Sequence, residues 1–367
     1  MAAAKRAGYK VTAIDAFLDK QTVELADVTL LVDYNRNGFS SDSLLNAVSR
    51  LDAGKYQGFV YGSGFEAQPE LLEKIAKTIP LIGNTPATVR VLKSTCDFFT
   101  SLQRCNIPYP AVFDVLPDGD NFDAEIYLKK FAGGSGGTHI QFANTDSAPL
   151  SNCYYQRYMT GLPVSLLFIA QDKMISVIGF NEQWVNATES MPFRYGGAVS
   201  NITLSNGVQQ QLIEAAEKLS LAFGLRGLNS LDVIVHNEMV YVLEINPRLS
   251  ATVDLYESAQ INLMDLHLQT CIHDVSVKSD IANNLHDFHT LSKSSKAHAI
   301  LYAPFDCLLN NDINWPDWVV DSPHHTMQFL AGEPVCTVLA VADDSDEAKQ
   351  LAQIRVKMLQ MKLQQNS

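Results

Sequence analysis

Residues 227–248, GLNSLDVIVHNEMVYVLEINPR, limit the folds open to this chain more than any other stretch. Asp232 to Val235 read as a strand, His236, Asn237 and Glu238 as a polar turn, and Met239 to Ile245 as the returning strand of a hairpin. Side chains alternate along paired strands, so Asp232 comes near Glu244, with Asn246 two residues further along the same face. Two carboxylates and an amide oxygen from paired strands suit Mg²⁺, a hard cation that keeps coordination places for phosphate. Mn²⁺ accepts the same oxygen donors. Pro247 ends the ladder, and Arg248 stands beside the acids with a planar fork suited to phosphate or carboxylate. The competing reading is an ordinary exposed hairpin with its acids in solvent. It leaves Glu-Ile-Asn-Pro-Arg, directly after an acid-bearing apolar strand, without a reason.

The pattern D…E-x-N-P-R resembles the metal-binding signature of ATP-grasp enzymes, which join a carboxylate to an amine or another nucleophile through an acyl phosphate. The resemblance implies Asp232, Glu244 and Asn246 as Mg²⁺ ligands and Arg248 as a phosphate or substrate contact, with ATP as the nucleotide. It also implies the fold class: α/β, an ATP-grasp fold behind an N-terminal open parallel α/β (pre-ATP-grasp) domain. The expected divisions are 1–84 for that first domain, 85–275 for an ATP-grasp domain of two lobes hinged near 154–160, and 276–367 for a C-terminal α/β segment packing on the core.

Composition narrows the function classes. A chain of 367 residues, 47% hydrophobic, can bury a sizeable core and form two or three domains. A net charge of −13 argues against a duplex nucleic-acid binder and against an anionic membrane surface, though it leaves room for a basic cleft. Six cysteines scattered without a C-x-x-C pair read as reduced thiols and no zinc site, and Cys336 reads as a packed strand residue. No apolar run reaches the ~20 residues that span a bilayer. Lys5, Arg6 and Lys10 are followed by Asp15 and Asp19, which is not a secretory signal. A cytoplasmic protein with small-molecule substrates is expected, and a homo-oligomer is left open.

The first segment alternates strand and helix: a strand from Tyr9 to Asp15, a helix from Ser41 to Ala53, a strand from Gly58 to Tyr61, a helix from Glu70 to Thr78 and a strand from Pro80 to Gly83. Such alternation argues for an open parallel sheet. The opening Ala2–Gly8 looks like the end of a helix, so a first strand and its glycine turn are expected upstream or in divergent form. Gly62-Ser-Gly64-Phe-Glu-Ala67 fits G-x-G-x-x-A, but no acid follows about twenty residues on; it reads as a tight strand-to-helix turn in preference to a nicotinamide site.

Thr85 to Cys105 is helical in pattern and carries Lys93, ahead of Asn106-Ile-Pro-Tyr-Pro110. This resembles the ATP-grasp run in which a helix lysine precedes G-I-P-x-P, with Asn106 in place of the glycine, and implies that Lys93 reaches the nucleotide phosphates. Tyr127 to Ile140 then delivers Lys129 and Lys130 into Gly133, Gly134, Ser135, Gly136 and Gly137. Glycines let backbone N–H groups close on phosphate oxygens, and no Gly-Lys-Ser/Thr ends the loop, so it is not a P-loop. It resembles the ATP-grasp loop that covers the triphosphate. Alternation lets only one of the two lysines face the cleft, and the family lysine's place before the loop favours Lys130. Taken alone, the loop would read as a surface linker.

Tyr154 to Ala170 looks like the inter-lobe strand whose backbone reads adenine, followed by a buried strand. The resemblance implies adenine contacts from Gln156, Arg157, Tyr158 and Met159, although Gln156 stands where relatives have an acid and the ribose acid is missing. The alternative for Tyr154, Tyr155 and Tyr158 is core packing. Met191 to Ala198 reads as a loop in which Arg194 either clamps a substrate carboxylate or stands exposed. A helix from Asn206 to Gly224 leads into the hairpin. From Ala297 the chain has a strand to Tyr302, a Trp-Pro-Asp-Trp318 turn, a solvated His324-His325 pair, a strand from Pro334 to Val341, and a helix capped by Ser345 that runs to about Lys362. Tyr302-Ala-Pro with Pro334-Val-Cys-Thr-Val resembles ATP-grasp proteins of one-carbon metabolism in methylotrophs, relatives of the tyramine–glutamate ligases.

The expected activity is therefore an ADP-forming carboxylate–amine ligase, with Lys130 and Arg248 acting on the phosphoryl group. By the narrower resemblance, glutamate's side chain is joined to tyrosine or tyramine in methylofuran biosynthesis. The alternative is a nucleotide-binding regulatory protein without ligase chemistry.

Overall fold

Short elements build the N-terminal unit of this computed structural model, which describes residues 1–35, 38–116, 126–143, 152–258, 261–272, 294–310 and 313–365. They are α1 (Ala2–Arg6), β1 (Thr12–Asp15), α2 (Lys20–Leu25), β2 (Val28–Leu31), β3 (Tyr34–Asn35), β4 (Gly38–Phe39), α3 (Ser41–Ser49), β5 (Phe59–Val60), α4 (Pro69–Ala76) and β6 (Leu81–Ile82). β1 pairs with β2 and β5 with β6, both in parallel. The expected alternation is there, but as two separate parallel pairs and a β3–β4 hairpin in place of one open sheet. Strands this short make few ladder bonds, so side chains carry the unit. Leu71, Leu72 and Ile75 of α4 close on Leu44 and Val48 of α3 and on Phe65.

The helical stretch expected from Thr85 to Cys105 is two helices, α5 (Pro86–Lys93) and α6 (Thr95–Arg104). Ser94 leaves helical geometry (φ −78°, ψ 114°), ending one helix and capping the next by accepting the Asp97 N–H at 3.5 Å. The break leaves Lys93 as the last residue of α5. An antiparallel sheet of four strands follows, β7 (Val112–Phe113), β8 (Tyr127–Phe131), β9 (Ile140–Phe142) and β10 (Cys153–Arg157), in the order β7-β10-β8-β9.

The main sheet has eight antiparallel strands: β11 (Leu162–Gln171), β12 (Met174–Val185), β13 (Tyr195–Ser200), β14 (Gly227–His236), β15 (Met239–Asn246), β16 (Ser295–Tyr302), β18 (Val319–Val320) and β20 (Pro334–Ala342). β17 (Cys307–Leu309) and β19 (Met327–Phe329) form a small hairpin outside it. The order is β15-β14-β11-β12-β13-β16-β20-β18. α6 and α7 (Asn206–Phe223) bury Phe98, Leu102, Leu212 and Leu219 against Leu166, Phe168 and Val242. The opposite face holds Leu167 and Ile178 under Tyr256 and α8 (Leu263–Ile272).

Three further expectations change. The stretch 191–198 is a loop only to Arg194; from Tyr195 it is β13, paired on both sides, its Gly196-Gly197 hiding the strand signal. β16, β18 and β20 extend the same sheet, so a boundary at 276 separates strands of one layer. α9 (Ser345–Gln365) then covers that edge with Ala348, Ala352 and Leu359. Its cap is Asp344, whose Oδ1 accepts the Glu347 N–H at 2.8 Å, with Ser345 already inside the helix.

The β11–β12 turn rests on Asp172 (φ 50°) and Lys173 (φ 67°), the left-handed pair that matches strand twist but suits few side chains. Lys173→Val, a β-branched residue at this φ, is expected to destabilise the fold by about 1–2 kcal/mol, whereas Lys173→Gly leaves the melting temperature level or slightly higher. Thermal melts of the two variants against the native protein check this; equal losses would mean that the turn does not carry the strain.

Candidate active site

The β14–β15 hairpin turns on two residues, Asn237 (φ 48°) and Glu238 (φ 62°), with His236 opposite Met239. Counting back from that turn, Asp232 would face Leu243. A bulge shifts the ladder between Asp232 and Val233, so Leu243 becomes the extra residue and Asp232 faces Glu244. Asn246 bridges the two acids: its Nδ2 donates to Asp232 Oδ2 at 2.9 Å and to Glu244 Oε1 at 3.5 Å. Its Oδ1 turns away, accepting from Lys93 Nζ at 3.4 Å and Arg248 Nη2 at 3.5 Å.

Facing carboxylates in a buried site repel, and their surroundings separate them. Burial first, and then the charge of Glu244, push Asp232 up to about 7, against the pull of Lys93 and Arg248. Burial also acts to raise Glu244, but Lys93, Lys130 and His139 outweigh it and hold that carboxyl below its usual range. Lys93 Nζ donates to Glu244 Oε2 at 3.0 Å. Asp232 is met by neutral amides, from Asn246 and from Gln183 Nε2 at 3.1 Å. The Glu244 side chain is still 38% exposed, so it remains open to solvent.

Both lysines of β8 are buried, but they diverge. Lys130 Nζ donates to Gln156 Oε1 at 3.1 Å and senses Glu244 and Asp232, while Lys129 Nζ lies 5.9 Å from the Phe131 ring centre. Burial lowers the Lys130 ammonium's pKa, opposed by those two acids. The glycine loop is seated on both sides, unlike a free linker. A Cβ on Gly133 (φ 75°) would stand 2.8 Å from Ala67 Cα, and one on Gly137 (φ 72°) would run into the Phe193 carbonyl. The Tyr195 N–H donates to the Gly136 carbonyl at 2.9 Å.

Two expected contacts sit elsewhere. Arg194 is buried, stacked on the Tyr302 ring at 3.7 Å. Its Nε and Nη2 donate to Asn186 and its Nη1 to the Gly332 carbonyl, each at 3.1 Å. These bonds pin the C-terminal segment to the sheet, so the geometry corrects the expected carboxylate clamp. In 156–159, the N–H groups of Arg157 and Tyr158 are committed to the Ala111 and Ile126 carbonyls, and the Tyr158 ring packs with Phe142 and Phe193. Gln156 is buried, with its Nε2 unpartnered.

Three residues at the site escaped the sequence reading: Gln183, Glu66 and His139. Glu66 is buried, and Arg248 Nε donates to its Oε1 at 2.6 Å. His139 ends the glycine loop, where burial lowers its pKa to about 4, and its Nδ1 is buried without a hydrogen-bond partner. Its place two residues after Gly137 was the one available signal.

The donors fit a divalent cation and a nucleotide. Asp232, Glu244 and the Asn246 oxygen are hard oxygen ligands, and a cation would offset the burial and the repulsion that now raise Asp232. Presenting that oxygen requires the Asn246 amide to turn about its last torsion. No group of three His, Cys, Asp or Glu able to hold a metal occurs among the described residues; beside the two acids, the Asn246 amide would be the third donor. Buried polar atoms without partners are costly, and Gln156 Nε2 and His139 Nδ1 are two such atoms beside Lys130 and the glycine loop.

The family model described as ATP-grasp domain matches residues 97–252. The chain is 25% identical over 224 residues to the carbamoyl phosphate synthase large chain of Lachnoclostridium phytofermentans, covering 55% of this chain and 21% of that protein. It is 27% identical over 148 residues to the tyramine–L-glutamate ligase of Methanocaldococcus jannaschii, covering 40% of this chain and 43% of that one. The chain thus matches less than half the length of each. The L-amino acid ligase from Bacillus licheniformis has the same fold, with a TM-score of 0.70 over 97% of this chain and 93% of that one at 13% identity.

Asp232→Asn removes the acid whose ionisation the fold resists. With chelator present, the variant is expected to be more stable than the native protein at pH 8 by about 1–2 kcal/mol, with the gap closing toward pH 5. The sign follows from the raised pKa: the folded chain holds this proton better than the unfolded one, so stability from Asp232 is lost as pH rises through about 7. Melts across that range would refute the assignment if the variant were less stable throughout.

Proposed function

We propose that this chain, whose residues 97–252 are an ATP-grasp domain, is an ATP-dependent ligase that joins a carboxylate to an amine through an acyl phosphate. The observation that supports this best is the convergence of Lys93, Asp232, Glu244, Asn246 and Arg248 in one hydrogen-bonded cluster, with Lys130 and the glycine loop beside it. When bound, ATP supplies the terminal phosphoryl group that activates the carboxylate, and Mg²⁺ (or Mn²⁺) neutralises charge on the phosphoryl oxygens.

The protein's part is placement. Asp232, Glu244 and Asn246 would hold the metal, while Lys93, Lys130 and Arg248 turn donors toward the phosphates. Lys130 is held by Gln156 and so reaches the cleft in a fixed direction. Gly133 to Gly137 offer backbone N–H groups over the phosphates. Gln156 and Met159 are the residues of 156–159 assigned to the base, since the Arg157 and Tyr158 N–H groups are taken. Donors fixed before the reaction stabilise the developing charge without reorganising.

The substrates we propose are glutamate, through its side-chain carboxylate, and tyrosine or tyramine, in methylofuran biosynthesis in the cytoplasm. The partial similarity to tyramine–L-glutamate ligase supports this pair. No helix among the described residues is long and apolar enough to cross a membrane.

Phosphoryl transfer and adenylation leave different products, so the mechanism can be read from label. With glutamate carrying ¹⁸O in its side-chain carboxylate, Mg·ATP, and tyramine or tyrosine, the expected products are the amide, ADP, and phosphate heavier by one ¹⁸O. Label in AMP would replace the acyl phosphate by an adenylate. Nucleotide binding without ADP release under any carboxylate–amine pair would favour a regulatory protein.

A further inference from the structure

Gly62–Ala67 fits a dinucleotide pattern, yet it lies against the candidate active site. Phe65 is buried in the N-terminal core, its ring centre 5.2 Å from that of Phe39 and 5.9 Å from that of Tyr61. That anchor fixes the next residue, Glu66. The Glu66 carboxylate turns back to accept the Gly64 N–H on Oε2 at 2.7 Å, leaving Oε1 for Arg248 Nε at 2.6 Å. Burial acts to raise Glu66, but Arg248 and Lys93 outweigh it and keep the carboxyl ionised. Both partners are enclosed, with side-chain exposures of 4% for Glu66 and 12% for Arg248.

The pair fixes a direction as well as a charge. Arg248 Nη1 donates one of its two N–H groups to the Leu249 carbonyl at 2.9 Å, so Nε and one side of Nη1 are held and Nη2 points toward Asn246. A planar fork held at two corners cannot swing, which fixes where Nη2 points. The glycine loop rests on the same segment, where Gly133 meets Glu66 and Ala67 backbone.

We infer that Glu66 is a positioning residue: it holds Arg248 so that Nη2 faces the terminal phosphate of the bound nucleotide, making Gly62–Ala67 the N-terminal unit's share of the triphosphate site. This rests on reading the cluster as a triphosphate site, and the test separates the two. Calorimetry would compare binding of Mg·AMP-PNP, which has a third phosphate and is not hydrolysed, with Mg·ADP, which lacks it. Arg248→Gln and Glu66→Gln are each expected to weaken AMP-PNP binding about tenfold or more while ADP changes less than about threefold, and the double variant is no weaker than Arg248→Gln alone. Glu66→Asp keeps the charge but shortens the reach, and it carries the same comparison if Glu66→Gln does not fold. Glu66 variants that keep AMP-PNP affinity within about twofold, that weaken both nucleotides equally, or that multiply with Arg248→Gln overturn the inference. No nucleotide binding by the native protein removes the triphosphate site, and this inference with it.

Discussion

Asp232 and Glu244 face each other across adjacent strands, and much of the surrounding structure answers that repulsion. Like charges directly opposite on a ladder destabilise a sheet, more so when enclosed. Here the bulge at Leu243 brings the two acids opposite each other, since the unbroken ladder would have set Asp232 against that leucine. Lys93 reaches Glu244 from the end of α5, and Lys130 is near enough on β8 to bias the same acid. Asn246 and Gln183 complete Asp232 with amides only. The arrangement leaves a surplus of negative charge at one oxygen pair, which gives a cation its place in the proposed mechanism.

The sequence exposed what this cluster draws from continuous segments. The acids and Asn246 lie within one hairpin, where alternation brings them together, while Lys93 in its helix pattern and Lys130 at the mouth of a glycine run stood out through the resemblance of those runs to ATP-grasp sequences. What it concealed depends on geometry between segments. Glu66 touches Arg248 across 182 positions of chain, and it sat within a glycine motif that pointed to another ligand class. Gln183 belongs to β12, an inner strand paired on both sides, and reaches Asp232 on β14, two strands away. Arg194 looked available because Gly196 and Gly197 suggested a loop, whereas those glycines belong to a central strand and the guanidinium is spent on Asn186, Gly332 and Tyr302.

The fold shows the same division. Long strands and α7 were legible, since Ser205 caps that helix and Gly224 ends it in the left-handed region. The N-terminal unit was legible in kind but not in pairing: strands of two residues carry too little pattern to say which ladder they join. The two long C-terminal strands, β16 and β20, read correctly as strands. Nothing local in them says that they continue the hairpin's own sheet, because sheet order is a property of distant pairings.

A hairpin alone would be a poor support for groups that must be placed to a fraction of an ångström, since its ends fray. Here both ends are tied. At the turn, Glu238 accepts from Ser205 through its side chain and from Gln211 Nε2 through its carbonyl at 2.9 Å, fastening the hairpin to α7. At the open end Pro247 offers no N–H to the ladder, and its carbonyl is taken by Asn84 Nδ2 at 3.0 Å and by the Tyr61 hydroxyl at 3.3 Å. Asn84 also donates to Asn229 Oδ1 at 2.8 Å and accepts the Arg226 N–H at 2.9 Å, so one buried amide ties the end of β15 to the start of β14. The acids lie between these two fastenings. The N-terminal unit, through Tyr61, Asn84 and Glu66, therefore shapes the site as directly as the sheet that bears the acids.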